Sequence, residues 1–137
     1  MKWLDKEVHF GVRQQGRLVA HAGLVQVTVS VDGDRLQVAG LGGVIVAPDL
    51  RGHGLARLVV TAAVEHARGS GAEFGLLFCW PDRVPLYQHL GWRALDGDMQ
   101  VEQPDGLVSM PPLPMWIPLA EGAIWPRGRA RLLSLPM

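Results

Sequence analysis

A short glycine-rich turn, Arg51-Gly52-His53-Gly54-Leu55-Ala56, carries the clearest chemical signal in this chain. Glycine has no Cβ, so positions 52 and 54 let the backbone fold tightly and approach a ligand closely. Helical periodicity begins at Leu55, and the first N–H groups of a helix have no partner within it. Such a helix start binds anions, and pyrophosphate is the natural ligand. Arg51 adds a fixed positive charge beside these donors.

Three other interpretations of the turn are possible from its residue types. A dinucleotide site of the Rossmann type needs Gly-x-Gly-x-x-Gly, but Arg57 stands where the third glycine belongs. A Walker loop needs Gly-Lys followed by Ser or Thr, which the turn lacks. A strand-to-helix loop without any ligand is the third alternative.

Few other side chains offer reactive groups. His21 has the right type for a general base, since histidine titrates near pH ~6.5; packing on a strand face is its other interpretation. His53 belongs to the turn and is expected to be solvated, and the histidines lack metal-ligand spacing. Cys79 ends an apolar run with no histidine nearby in the sequence, which predicts a small buried hydrophobe and no nucleophile.

Apolar patterning predicts the strands that position the turn. Alternation and apolar runs place four strands at residues 8–13, 18–31, 35–46 and 74–80. Asp32-Gly33 predicts a type I′ hairpin between the second and third strands. The third strand contains Gly40, Gly42 and Gly43, which together predict a bulge or a close backbone approach.

Two helices are predicted between and after these strands. The first runs from Leu55 to Arg68. Its packed side is predicted to contain Leu55, Leu58, Val59, Ala62, Ala63 and His66. A second, short helix is expected to have Asp82 as its cap, Pro85 in its first turn and Gly91 at its end. The order β-β-β-α-β-α-β predicts an α/β fold with a mixed sheet.

Prolines dominate the last third of the chain. They break residues 104–137 into short pieces, with one late strand expected around Met115-Trp116-Ile117. The sequence therefore predicts one domain over residues 1–137, with a core at about 8–95 and a Pro-rich C-terminal extension at about 104–137.

Composition limits the function classes. The 137 residues carry zero net charge, which argues against partners such as nucleic acid or an acidic membrane. The single cysteine excludes an internal disulfide and indicates a reducing compartment. Charges interrupt the first residues, and no apolar run reaches membrane-spanning length. These features predict a cytoplasmic protein.

Two motifs resemble those of the GNAT (GCN5-related N-acetyltransferase) superfamily. Arg-x-x-Gly-x-Ala at 51–56, after the strand end Val46-Ala47-Pro48, resembles its acetyl-CoA-binding motif. Residues 84–92 resemble its second motif, a tyrosine-bearing helix that ends in Gly-aromatic. Two motifs in order on the right elements are more specific than either alone. The resemblance covers about residues 8–95 and is strongest to aminoglycoside 2′-N-acetyltransferases, through Leu18–Ala22 and Gly91-Trp92.

The resemblance implies a fold, a reaction and a set of site residues. The fold is a mostly antiparallel mixed sheet flanked by helices, and the reaction moves the acetyl group of acetyl-CoA, without a metal, to a primary amine of a small molecule by direct attack. Tyr87 matches the general acid that protonates the CoA thiolate; packing is its alternative role. The cofactor-binding positions are Val44, Ile45 and Val46 for pantetheine and Arg51, Gly52, His53, Gly54, Leu55 and Ala56 for pyrophosphate.

The chain also departs from the family pattern. Gly42 stands where many relatives have a glutamate base, so His21, a water chain or an amine that arrives neutral must serve. Otherwise the protein is a non-catalytic acyl-CoA sensor or subunit. The strand and two helices that usually wall the acceptor site have no counterpart before residue 8. Exposed apolar sheet surface then needs cover, by a homodimer or by the C-terminal extension.

Overall fold

A computed structural model describes residues 1–137 and contains nine strands and two α-helices. The elements in chain order are Val8–Gln14 (β1), Arg17–Val31 (β2), Asp34–Val46 (β3), Leu55–Arg68 (α1), Phe74–Cys79 (β4), Val84–His89 (α2), Arg93–Ala94 (β5), Gln100–Gln103 (β6), Gly106–Ser109 (β7), Leu113–Pro118 (β8) and Ala130–Leu132 (β9). No helix of the structure has the length and apolarity that crossing a membrane requires.

All nine strands belong to one sheet with the order β5-β8-β4-β3-β2-β9-β6-β7, and β1 pairs with β2. Only the pairs β3–β4 and β6–β9 are parallel; the others are antiparallel. The predicted fold class, a mostly antiparallel mixed sheet flanked by helices, is therefore confirmed. The hairpin between β2 and β3 has positive φ at Asp32 (47°) and Gly33 (88°), as a type I′ turn requires.

Helix α1 packs on one face of the sheet. Its buried side chains are Val59, Val60, Ala63 and Ala67. The predicted packed side was partly wrong, because Leu58 is 56% exposed and Ala62 and His66 also lie outside the buried stripe. The helix is rotated so that Val60 and Ala67 face the sheet, and the His66 ring lies edge-on to Phe10 at 5.4 Å.

The C-terminal region covers the opposite face. Its buried side chains there are Met110, Trp116, Trp125, Ala130, Leu132 and Met137. Phe74 packs edge-on against Trp116 and Trp125, with ring centroids 5.6 and 5.1 Å away. The late strand expected near residue 116 exists as β8, but it lies between β4 and β5 within the sheet. Strands β5, β6, β7 and β9 were not predicted.

The chain from β4 into α2 differs in detail from the sequence-based expectation. A short 3-10 helix, Pro81–Arg83, precedes α2, and no side chain caps either helix. Asp82 is therefore not the cap of α2, because it lies inside the preceding 3-10 helix. Pro85 does lie in the first turn of α2, and Gly91 follows the helix with a φ of 95°.

Candidate functional site

Strands β3 and β4 separate along their length and open a cleft. Their parallel pairing is confined to Val38–Gly40 and Phe74–Leu76. Beyond it, residues 41–46 and 77–79 line a cavity of about 850 Å³ instead of pairing. The start of α1 and the helix α2 also line this cavity. The site that the turn was predicted to form thus lies in a cleft between two strand ends.

A bulge in β3 lies at the edge of this cleft. His21 pairs with Ile45 and Gly23 with Gly42, so β3 has one more residue than β2 over this stretch. Gly43, inside the bulge, has a φ of 60°. The Nδ1 of His21 lies 2.7 Å from the Gly43 carbonyl oxygen and donates to it, because a carbonyl only accepts.

The position of His21 favours a structural role over that of a base. Its Nε2 is 2.8 Å from His9 Nδ1, so both ring nitrogens are engaged. His21 does not line the cavity. His21 instead binds the carbonyl of Gly43 and so stabilises the bulge that turns β3 away from β4.

The backbone of β3 offers a donor to the cleft. The N–H of Ala47 donates to Val19 O on β2 at 2.8 Å. Successive N–H groups of a strand point to opposite edges, so the N–H of Val46 is directed away from β2 and toward the cleft. Val44, Ile45 and Val46, which were predicted to bind pantetheine, all line the cavity.

The glycine turn has the geometry of an anion site. Gly52 and Gly54 have φ values of 83° and 79°, a region that side chains other than glycine rarely adopt. The first helical hydrogen bond runs from Leu58 N to Gly54 O at 3.1 Å, and the N–H groups of residues 55–57 have no partner in the protein. Of the six predicted turn residues, five line the cavity. His53 is exposed and does not line it.

Tyr87 lies in the cavity wall on α2. Its side chain is buried against Trp92, with ring centroids 6.2 Å apart. Burial raises the pKa of Tyr87 to about 12, with a further rise from Cys79 and a decrease from Arg83. Its hydroxyl has no hydrogen-bond partner in the protein and is not sealed from solvent. At neutral pH it is therefore a proton donor open to the cleft.

Cys79 lines the same cavity, but its surroundings make the thiol unreactive. Its Sγ lies 3.6 Å from Met115 Sδ, inside the core. Burial raises the pKa of the Cys79 thiol, and the Asp82 carboxylate raises it further. The expectation of a small buried hydrophobe is confirmed, since a thiol with a raised pKa has little thiolate at neutral pH.

The sequence interpretation missed the N-terminal segment as part of this site. Trp3, Lys6 and the C-terminal Met137 line the cavity. A Cβ placed on Gly42 would lie 2.7 Å from Lys6 Cε and 2.9 Å from the backbone of Met137. The position where relatives have a glutamate is therefore filled by other parts of the chain. Only a partial signal was present, because the glycines of β3 predicted a close backbone approach without showing which segment approaches.

The sequence is similar to known acetyltransferases. A family model described as an acetyltransferase (GNAT) domain matches residues 1–95. An aminoglycoside 2′-N-acetyltransferase of Mycolicibacterium fortuitum is 31% identical over 104 residues, which are 76% of this chain and 53% of that protein. The chain thus spans about half the length of this relative.

Solved structures show the same fold. A GCN5-related N-acetyltransferase from Kribbella flavida, 31% identical, superposes with a TM-score of 0.57 over 63% of this chain and 22% of that one. A GNAT family acetyltransferase from Brucella melitensis, in complex with acetyl-CoA, superposes with a TM-score of 0.61 over 89% of this chain and 63% of that one. At 20% identity, the second likeness concerns the fold alone.

Proposed function

The chain belongs to the GNAT acetyltransferase family, and we propose that it is an N-acetyltransferase that moves the acetyl group of acetyl-CoA to a primary amine of a small molecule. One observation carries this proposal. The same cleft contains a helix start with free N–H groups at one end and the protonated hydroxyl of Tyr87 in its wall. A binding turn without chemistry would not need the second feature.

The residues present fit acetyl-CoA as a substrate. The free N–H groups of residues 55–57 and the charge of Arg51 suit a pyrophosphate, because a helix start combines oriented donors with a favourable dipole. The exposed edge of β3, with the N–H of Val46, suits the amide groups of pantetheine. A cavity of about 850 Å³ lies within the range of roughly 300–1,000 Å³ that small-molecule sites occupy.

The chemistry that we propose is one direct transfer. The amine nitrogen attacks the thioester carbonyl carbon, a C–N bond forms and the C–S bond breaks. The amine loses its proton to solvent, and the departing thiolate takes a proton from the hydroxyl of Tyr87. Burial keeps Tyr87 protonated until it is needed. The same apolar surroundings disfavour a free thiolate, and Tyr87 then regains a proton from solvent.

No carboxylate at Gly42 can remove the proton of the amine. The space that a side chain at position 42 would occupy is filled by Lys6 and Met137. His21 lies outside the cavity, and both of its ring nitrogens are engaged. We therefore propose that the amine reacts from its neutral fraction. The alternative, an acyl-CoA sensor without turnover, is favoured by this same lack of a base.

Two measurements test the proposal together. Calorimetric titration of the purified protein with acetyl-CoA should show saturable binding. A screen of primary amines that detects free CoA thiol should then show turnover at alkaline pH. Binding without thiol release for any amine between pH 7 and pH 10 would favour the sensor, and no binding of acetyl-CoA would refute both functions.

A further inference from the structure

The N-terminal segment places a lysine inside the cleft. It is held on both sides of Lys6, because Leu4 N donates to Pro136 O of the C-terminal region at 2.7 Å and Glu7 N donates to Leu24 O of β2 at 2.8 Å. The Lys6 side chain lies over two glycines that face each other on β2 and β3. A Cβ on Gly23 would lie 2.5 Å from Lys6 Cγ, and one on Gly42 would lie 2.7 Å from Lys6 Cε.

The ammonium group of Lys6 has unused capacity for hydrogen bonds. Its Nζ donates to Leu4 O at 3.2 Å, which uses one of three donors, and it forms no salt bridge. Partial burial lowers the pKa of Lys6, although Asp5 opposes this. Lys6 is a half-buried cation that lines a cavity and has free donors. Such a cation is stabilised by an anion that a ligand brings in.

The charges around the cavity favour anions at both ends. Four cationic side chains line it, Lys6, Arg51, Arg57 and Arg83, against a single acidic side chain, Asp82. Asp82 already lies beside Arg83, with 3.9 Å between Oδ2 and Nε. Arg51 and Arg57 lie at the helix start, where the proposed function puts pyrophosphate. Lys6 is the remaining cation, and it crosses Gly23 and Gly42 far along β3 from that turn.

We infer that Lys6 recognises the acceptor, and that it selects primary amines that also carry a carboxylate over neutral and polycationic amines. This inference rests on the proposed function and names the substrate class of the same site. An aminoglycoside, which carries several ammonium groups, would meet a fixed cation in the cleft and no unpaired acidic side chain to offset it. The chain would therefore differ in acceptor class from its relative of that name.

A matched pair of acceptors tests the inference. 4-(Aminomethyl)benzoate and 4-(aminomethyl)benzamide have the same size and a similar amine, and differ in the negative charge. Wild-type protein should favour the benzoate in kcat/KM by about tenfold or more, the usual effect of a hydrogen-bonded charge. Kanamycin should be the poorest of the three. Lys6→Gln should remove the preference by raising KM for the benzoate, whereas Lys6→Arg should keep it.

Lys2→Gln is the matched control, because it removes a charge from the same segment at a residue that does not line the cavity. It should keep the wild-type preference. Binding of the two benzyl compounds is also measured by calorimetry, with and without CoA, so that the test does not depend on turnover. Equal affinity for both compounds, or a preference for kanamycin, would overturn the inference while leaving acetyl transfer intact. A fall in kcat that is equal for both acceptors in Lys6→Gln would also overturn it, since it would make Lys6 part of the chemistry.

Discussion

A valine at Gly54 should abolish acetyl-CoA binding in a protein that still folds. Gly54 has a φ of 79°, and no heavy atom lies within 4 Å of the Cβ it would gain. That open space is where the proposed pyrophosphate would lie, so the added side chain competes with the ligand directly. Gly71 is the control, because its φ is 85°, its Cβ would also meet open space, and it does not line the cavity.

The expected magnitudes differ for folding and for binding. Forcing an L-residue into the left-handed region costs roughly 1–2 kcal/mol, so both variants should lose similar stability. For a chain of 137 residues, that corresponds to a fall in Tm of about 3–7 °C. Binding loses the contacts of the free N–H groups at residues 55–57. Losing two charge-assisted hydrogen bonds, at roughly 1.5–3 kcal/mol each, weakens Kd by about a hundredfold or more.

Calorimetric titration with acetyl-CoA and thermal unfolding followed by circular dichroism give the two numbers for each variant. Gly54→Val should lose affinity, and Gly71→Val should keep it, at matched Tm. If a folded Gly54→Val protein binds acetyl-CoA like wild type, the turn is not the pyrophosphate site and the central argument fails. Equal loss of affinity in both variants would also contradict it, since strain alone would then explain the effect.

Three further outcomes follow from the same geometry. Tyr87→Phe should lower kcat by roughly ten- to a thousandfold with little change in acetyl-CoA affinity, and wild-type turnover by this variant would leave Tyr87 with a packing role only. The rate with an alkyl amine, whose pKa is about 10.4, should rise with pH without levelling near pH 7. Tyr87 acts in its protonated form and its pKa is about 12, so it should not lower the rate below about pH 11. A rate that is constant from neutral pH upward would reveal a base. Cys79 should react slowly with a thiol-specific disulfide reagent in the folded protein, more slowly with acetyl-CoA bound and rapidly in urea; fast labelling of the native protein would contradict its burial.

Local sequence patterns predicted the elements that carry the turn. Helix α1 has the predicted bounds, Leu55–Arg68, and the Asp32-Gly33 hairpin joins strands close to those expected. The bulge predicted from the glycines of the third strand lies at Gly43. These features depend on residues near each other in the chain, such as a glycine that needs positive φ or an apolar residue every third or fourth position.

The C-terminal region could not be predicted in the same way. Its strands are short and interrupted by proline, so they carry little periodic signal. Strand β8 forms only because β4 and β5 offer free edges, and β9 only because β2 extends past β1. The strands that β8 and β9 pair with are distant in sequence, so a local stretch of sequence does not contain both members of a pair.

The sequence by itself determined the glycine turn and the tyrosine-bearing helix, because each depends on residue types at fixed spacing along one segment. The tertiary structure alone decided how these parts meet. It separated β3 from β4 to open the cleft, it turned His21 to the bulge, and it left His53 in solvent. It also brought Lys6 across Gly23 and Gly42, since only the folded sheet puts those two glycines opposite each other. The end of the cleft that we propose binds the acceptor could therefore not be predicted from the sequence, whereas the end proposed to bind acetyl-CoA could.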